Sequence, residues 1–362
     1  MTRLVVVSAG PAITVQDAGR LGVQRFGLPP SGAMDMLALA IANTLAGNPP
    51  FAAAIEVGPF GTEFTARDGA VRVALAGAAR NADIAGASVA LDRTMVIAEG
   101  ERLRLGPARE GAFSYLAVEG GIRGEPVFGS LAVNVRAELG SPFPRALQAG
   151  DAFDIDALRP WPSERRLDLP SPGDGPIRVV LGPQDDEFSA EAIAMLFDSD
   201  WTVSPASDRM GYRIEGPQLA HLHGHNIVSD GNAPGSIQVP GSGQPIVLLA
   251  DRGTTGGYPK IATVISADLG RFAQIGTGQR LRFRAISVAE AQAEARRRAA
   301  LIAELPQRLR DVSDVALDLA ALQNANLAGV AVSAVDAVTW QVPASTGADT
   351  WQAPAAAGSD GT

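Results

Sequence analysis

A mainly β protein with few helices, an α+β chain of two β-rich halves, is what this sequence predicts, on three observations. Its 40 glycines and 25 prolines are spread along 362 residues, as many short strands joined by turns require. A Gly, a polar residue and then alternation recur in EGERLRL (99–105), AGDAFDI (149–155) and TGQRLRF (277–283). In each, the glycine suits the positive φ of a tight turn, and apolar residues two apart fall on one strand face. The third observation is a series of short apolar runs: LVVV (4–7), VRVAL (71–75), FSYLAV (113–118), IRVVL (177–181), SIQV (236–239), PIVLLA (245–250) and ATVI (262–265).

Helices are few and carry their own signals. Met34, Leu37, Ala38, Ile41 and Leu45 make an i, i+3, i+4, i+7, i+11 stripe, with Gly47 where a C-terminal cap belongs. A short helix is expected over 189–197, capped by Ser189. SVAE at 287–290 is a capping box that opens an Ala/Arg-rich helix to about residue 304, with Glu294 and Arg298 paired one turn apart. The stretch RPWPSERRLDLPSPGDGP (159–176) reads as a linker. The expected division is therefore an N-terminal β-rich half at 1–160, a C-terminal β-rich half at 177–286, and a helical segment at 287–311. A low-complexity Ala-rich tail, 312–362, follows. It carries the small repeat TWQVPA (339–344) and TWQAPA (350–355), and too little apolar residue to order itself.

Composition narrows the function. A net charge of −9 leaves no basic surplus for phosphate neutralisation, so nucleic acid is excluded as a partner, and no attraction to anionic lipid is expected. With no cysteine there are no disulfides, thiolate metal sites or Cys nucleophile. No window is long and apolar enough for a membrane span or a signal peptide, and a soluble cytoplasmic protein is expected. No GxxxxGK[ST] or strand-to-helix GxGxxG is present.

Three clusters carry directional chemistry. HLHGH sets His221, His223 and His225 two apart, as a metal site on one strand face needs, but no carboxylate accompanies them and Gly224 weakens the strand. A polar strand edge or loop is expected there, and no metal. QDDEFS (184–189) sets three acids before a helix start, where they offset the helix dipole or meet Mg²⁺ brought by a nucleotide. VQDAGRLGVQRFGLPPSGAMD (15–35) concentrates Gln16, Asp17, Arg20, Gln24 and Arg25 ahead of an apolar helix, as either a site or a scaffold would. In the C-terminal half, DRMGYRIEG (208–216) offers Arg209 and Tyr212, and residues 236–274 offer Gln238, Asp251, Thr254, Thr255, Tyr258 and Lys260. Lys260 is the only lysine among 30 Lys and Arg. A lysine ammonium is a compact donor whose pKa moves on desolvation, which guanidinium does not offer.

These residues in this order resemble the biotin-dependent carboxyltransferase / allophanate hydrolase subunit 2 family, over residues 3–286. The match runs through Gln16-Asp17-x-Gly19-Arg20, Pro30-Ser31-Gly32-Ala33-Met34-Asp35, Ala42-Asn43, Glu56 with Gly61, Ala76-Gly77-Ala78 and Arg209-Met210-Gly211-Tyr212-Arg213. It continues in Ser229-Asp230-Gly231, Ile237-Gln238-Val239-Pro240, Gly243-Gln244-Pro245-Ile246, Asp251 and Thr254-Thr255-Gly256-Gly257-Tyr258-Pro259-Lys260. The resemblance implies a cyclophilin-like β-barrel in the C-terminal half and one component of an ATP-dependent 5-oxoprolinase, a hydrolase that opens the 5-oxoproline lactam to glutamate. Implied partners are an allophanate hydrolase subunit 1-like protein (the 5-oxoprolinase B component) and a LamB/YcsF-like protein (its A component). ATP with Mg²⁺ serves the complex, without a site assigned on this chain. The implied catalytic residues are Lys260, Asp251 and Asp17. Gln16, Arg20, Arg209, Tyr212, Gln238, Thr254, Thr255 and Tyr258 are the implied substrate-binding residues.

Two alternatives belong to the same resemblance. One is the carboxyltransferase component of a biotin-dependent urea or amide carboxylase. The other is a non-catalytic antagonist that binds a kinase-inhibitor-like partner. The chain has no Ala-Met-Lys-Met sequence, so biotin would arrive on another protein. Where relatives carry Ser-Thr-Asp after a Gly-Ser, this chain has Gly129-Ser130-Leu131-Ala132-Val133-Asn134, which is largely apolar.

Overall fold

The computed structural model describes residues 2–156, 164–167, 169, 173 and 175–312, with 339–340 and 351–352 beyond them. The strands of the first half are β1 (Thr2–Ser8), β2 (Thr14–Gln16), β3 (Ala54–Val57), β4 (Thr62–Arg67), β5 (Val71–Ile84), β6 (Ala87–Ser88), β7 (Arg93–Ile97), β8 (Arg102–Val118), β9 (Ala152–Ile155) and β10 (Arg165–Leu167). Then come β11 (Ile177–Leu181), β12 (Trp201–Val203), β13 (Gly211–Glu215), β14 (Asp230–Gly231), β15 (Ser236–Gln238), β16 (Ile246–Leu248), β17 (Thr255–Gly256), β18 (Lys260–Val264), β19 (Arg280–Leu281), β20 (Phe283–Ala285) and β21 (Leu309–Asp311). The helices are α1 (Met36–Leu45), α2 (Ala190–Asp198), α3 (Leu269–Ala273) and α4 (Val288–Glu304).

Eleven strands form one sheet, ordered β21–β10–β7–β5–β8–β4–β1–β9, with β2 on β3, β3 also on β8, and β6 on β5. Eight form a second, ordered β19–β12–β13–β16–β15–β18–β11–β20. A single residue, Arg282, separates β19 from β20, the strands at opposite ends of that sheet, so its ends meet and it curls into a nearly closed barrel. The three glycines of the recurring turn pattern, Gly100, Gly150 and Gly278, all have positive φ.

Strand alternation decides which core each side chain enters. On β5, Val71, Val73 and Leu75 face a core made within the first sheet, while Ala74 and Ala76 face the core shared with α1 and the barrel. On β8, Leu116 and Val118 take the first side, and Phe113, Tyr115 and Ala117 the second. Both faces of the sheet are covered, so these strands read as continuous apolar runs. Small residues on the second face let α1 come close: a Cβ on Gly77 would stand 3.4 Å from that of Ala38. The stripe expected on α1 is therefore only part of its buried surface, since Ala38 through Leu45 are all buried. Asp35 caps it by accepting from the Leu37 and Ala38 amides.

Local signals set the helix ends. Ser189 caps α2, and Ser287 with Glu290 forms the full capping box of α4. The acids Asp185–Glu187 stand ahead of Ser189 and α2, before the helix start as expected, in a 3₁₀ turn of their own. The pairing of Glu294 with Arg298 is corrected. Glu294 meets Arg178 at 3.2 Å and pairs with Arg297, while Arg298 reaches Asp35 at 3.6 Å and the Ala267 carbonyl. Arg178 and the in-helix Arg297 take Glu294, and Asp35 takes Arg298, in place of an i,i+4 pair worth only a few tenths of a kcal/mol. Segment 287–311 is α-helical to Glu304, makes a 3₁₀ turn carrying Pro306, and ends as β21 on the first sheet. Within 159–176, the stretch expected to be a linker, Arg165–Leu167 is strand β10, and most of the remainder lies outside the described residues. So does most of the tail expected beyond Val312, which forms a second unit (313–362). Within that unit, β22 (Thr339–Trp340) and β23 (Trp351–Gln352) pair antiparallel, one from each repeat.

Asp268, before α3, is 1% exposed and accepts from Arg178 three times: from its amide at 2.9 Å, Nε at 3.0 Å and Nη2 at 2.6 Å. Burial alone would raise its carboxyl, but the Arg178 bonds outweigh that and hold it below the usual carboxylate range. Its stabilisation is thus full above about pH 4 and is lost as pH falls through the folded value. Asp268→Asn is expected to cost about 2 kcal/mol near neutrality. The gap from wild type, read by urea denaturation, should narrow in acid.

Candidate functional site

The motif residues form two groups joined by residues 251–260. The first joins the halves of the chain. Glu56, fully buried on β3, accepts from the Met34 amide at 2.9 Å and the Tyr115 hydroxyl at 2.7 Å, and its other oxygen pairs with Arg209 Nη1. Arg209 also donates from Nε to Asp251 at 2.8 Å and from Nη2 to the Gly32 carbonyl at 2.7 Å. Burial would lower the Arg209 pKa, but Glu56 and Asp251 more than offset this and raise it, so the guanidinium stays charged. Burial, reinforced by Glu56 and Asp35, pushes the Tyr115 phenol far up and keeps it a donor. The network runs on through Tyr115, which accepts from the Asp35 amide, to Gln274, which donates to Asp35 at 3.0 Å.

Beside it lies the N-terminal motif, wrapped by residues 130–134. Asp17 accepts from the Ser130 hydroxyl (2.6 Å), the Leu131 amide (2.7 Å) and the Gly19 amide (2.8 Å). Gln16, fully buried, donates to Thr14 and to the Val133 carbonyl, and accepts from the Gly32 amide. Arg20, 1% exposed, donates through Nη2 to the Ala132 carbonyl, while its Nε and Nη1 have no hydrogen-bond partner. Burial lowers its pKa, and Asp17 and Asp251 pull it partly back. The 130–134 stretch thus serves Gln16, Asp17 and Arg20 through two backbone carbonyls, an amide and the Ser130 hydroxyl. Its Leu, Ala and Val side chains do not prevent that.

The second group surrounds Lys260 at the start of β18. This lysine is 2% exposed, and its Nζ stands 3.4 Å from Asp230 Oδ2, an ion-pair distance without hydrogen-bond geometry. Gln184 grips both sides: its Oε1 accepts from the Lys260 amide at 3.2 Å, and its Nε2 lies 3.3 Å from Asp230 Oδ2. The Gly231 amide, then Lys260, hold the Asp230 carboxyl below its usual range. Gln238 is opposite Lys260 in the β15–β18 ladder, and Thr255 is opposite Gly231 in β14–β17. Tyr258 is 37% exposed, and the Thr254 carbonyl accepts from the Asn232 amide at 2.9 Å. Close approach requires glycine at 182, where a Cβ would overlap the Lys260 carbonyl oxygen.

Of the implied residues, Tyr212 stands apart. It is buried against Phe272 and donates to the Ala273 carbonyl at 2.8 Å, a core role in the barrel. His221 bonds the Val239 carbonyl and lies edge-on to His225 at 6.4 Å; no group of three His, Cys, Asp or Glu gathers as a metal site among the described residues. Sequence reasoning did not assign Glu56, Tyr115, Asp230 or Gln184 to the site. A carboxylate inside the apolar run AIEV was the available signal for Glu56.

A barrel joined to a larger sheet, with the Glu56–Arg209 group at the join and the Lys260 group in the second half, fits a carboxyltransferase-type protein. The chain belongs to that family: the carboxyltransferase domain, subdomain A and B, matches residues 26–285. It is similar to the C subunit of 5-oxoprolinase from Escherichia coli (strain K12), at 39% identity over 290 residues, 80% of this chain and 93% of that protein. Against the C subunit of 5-oxoprolinase from Haemophilus influenzae the identity is 36% over 298 residues, 82% of this chain and 96% of that one. Among solved structures, the K. lactis urea amidolyase superposes with a TM-score of 0.77 at 25% identity, over 84% of this chain and 20% of that one. No described helix is long and apolar enough to cross a membrane.

Proposed function

We propose that this chain is one component of an ATP-dependent 5-oxoprolinase, which opens the 5-oxoproline lactam to L-glutamate with an allophanate hydrolase subunit 1-like partner and a LamB/YcsF-like partner. The observation that carries the reading is 39% identity to the C subunit of 5-oxoprolinase over 93% of that protein's length. Opening the lactam breaks the ring C–N bond, and negative charge gathers on the carbonyl oxygen on the way. A preorganised cation in a site closed to water lowers that barrier. Lys260 is the residue suited to it, being cationic, buried and not hydrogen-bonded through Nζ. Gln238, Thr254, Thr255 and Tyr258 flank it as substrate contacts in this reading. Asp251 and Asp17 act by orienting Arg209 and the 130–134 stretch, with Gln16 and Arg20 beside them. ATP with Mg²⁺ is the energy source of the complex.

Omitting each of the three proteins in turn from a reconstituted mixture tests the reading. Conversion of 5-oxoproline to glutamate with ATP consumption is expected from all three together. Full turnover without this chain overturns it.

Likeness to urea amidolyase supports a second reading, the carboxyltransferase component of a biotin-dependent urea or amide carboxylase. Lys260, 2% exposed and within a strand, is unfit as a carrier lysine, so biotin would ride on another protein. Avidin should leave turnover unchanged under the first reading and stop it under the second.

A further inference from the structure

The surroundings of Lys260 are incomplete in a specific way. An ammonium has three N–H donors. Its one charged neighbour among the described residues is Asp230 Oδ2 at 3.4 Å, and no acceptor meets Nζ in hydrogen-bond geometry. Burying a cation so poorly satisfied is costly, and the cost is relieved by an acceptor of better reach.

Asp230 is held by the adjacent Gly231 amide at 2.7 Å, a longer bond from Gln184 at 3.3 Å and the ion pair with Lys260. Its side chain is 54% exposed, so turning outward incurs no desolvation. Its strand, β14, pairs with β17 through only two residue pairs, Asp230 with Gly256 and Gly231 with Thr255. Beside the same ladder Asn232 Oδ1 is also buried without a partner, and a Cβ on Gly256 would stand 3.2 Å from it. A donor and an acceptor that both lack partners therefore border one short ladder.

We propose that the Asp230 carboxylate is a stand-in for a ligand: Lys260 Nζ takes an anionic oxygen of a small molecule, carboxylate or phosphate, when the β14–β17 ladder opens and Asp230 turns into solvent. The inference rests on the proposed function only for the identity of that molecule: the Nζ ammonium has three donors, one for this anionic anchor and others for the lactam carbonyl oxygen. Asp230 covers Lys260 until substrate displaces it.

Because Lys260 is the chain's only lysine, side-chain acylation by acetic anhydride reads this one ammonium, with the modified peptide quantified by mass spectrometry. Asp230→Asn is expected to acylate roughly tenfold faster than wild type, through loss of one contact to a charged group. Gln184→Ala should accelerate it as well, and thermal unfolding checks that both variants stay folded. Protection assays use the full chain alone and in the reconstituted complex, with three probes. Protection by 5-oxoproline but not by neutral 2-pyrrolidinone assigns a carboxylate, and protection by inorganic phosphate assigns a phosphate. Either supports the proposal. Acylation of Asp230→Asn at the wild-type rate overturns it. So does protection by 2-pyrrolidinone equal to that by 5-oxoproline, or protection by no probe in either preparation. Labelling is read without turnover, so absence of 5-oxoprolinase activity alongside the expected labelling would reject the proposed function alone.

Discussion

Lys260→Met is expected to lower turnover of the reconstituted complex by about 10²–10³-fold and leave this chain folded, as removal of one preorganised charge stabiliser does. The two effects separate because of how the lysine is paired. Methionine fills a similar volume and removes a buried charge that has no hydrogen bond. The abandoned partner, Asp230, is more than half exposed and is left hydrated, not orphaned in the interior. Stability should therefore hold or rise, while kcat falls. Lys260→Arg should not rescue, because a planar guanidinium does not fit a space built for a compact ammonium. Steady-state kinetics beside thermal unfolding decide the matter. Full turnover by the methionine variant would remove Lys260 from the site. A loss of stability in step with activity would make its role structural.

What the sequence made legible was local. Glycines at 100, 150 and 278 announce turns because only their backbone has to satisfy a positive φ. Ser189 and Ser287 announce helix starts because a cap acts within one turn. Glu294 misleads because it meets Arg178 on another element and Arg297 three residues on, and which arginines an acid takes is a matter of packing. The family order of residues 254–260 and Arg209 implies one shared site. The structure gives them different surroundings: the donors of Arg209 are committed within the chain, whereas Lys260 Nζ makes no hydrogen bond. Arg209 and Glu56 are 153 residues apart, so no motif window contains the pair. Composition and order located the region. Only the fold tells which cation has its donors committed and which makes no hydrogen bond through its ammonium.

That distinction makes Arg209 the position of greatest consequence for stability. Arg209→Met is expected to cost about 3–5 kcal/mol, because it leaves the fully buried Glu56 carboxylate without its counter-charge. Two neutral donors remain to Glu56, the Tyr115 hydroxyl and the Met34 amide, and they do not balance a full charge. Asp251 suffers less, since its side chain retains some contact with water. Glu56→Gln in the same background removes the stranded charge, so the double variant should recover part of the loss. A double-mutant cycle by urea denaturation measures this coupling, and a value between about 1 and 3 kcal/mol is expected for groups in direct contact. Because the pair spans both halves of the chain, the m-value carries a second test. A fall in m for Arg209→Met would mean that the halves separate before they unfold. An unchanged m with a lower midpoint would mean that the pair stabilises one cooperative unit. The second outcome is the expected one, because the core behind Glu56 and Tyr115 is continuous from α1 into the barrel. A cost below about 1 kcal/mol, no more than an ordinary hydrogen bond contributes, would show that Glu56 is satisfied without the arginine. Arg209 would then be available to substrate after all.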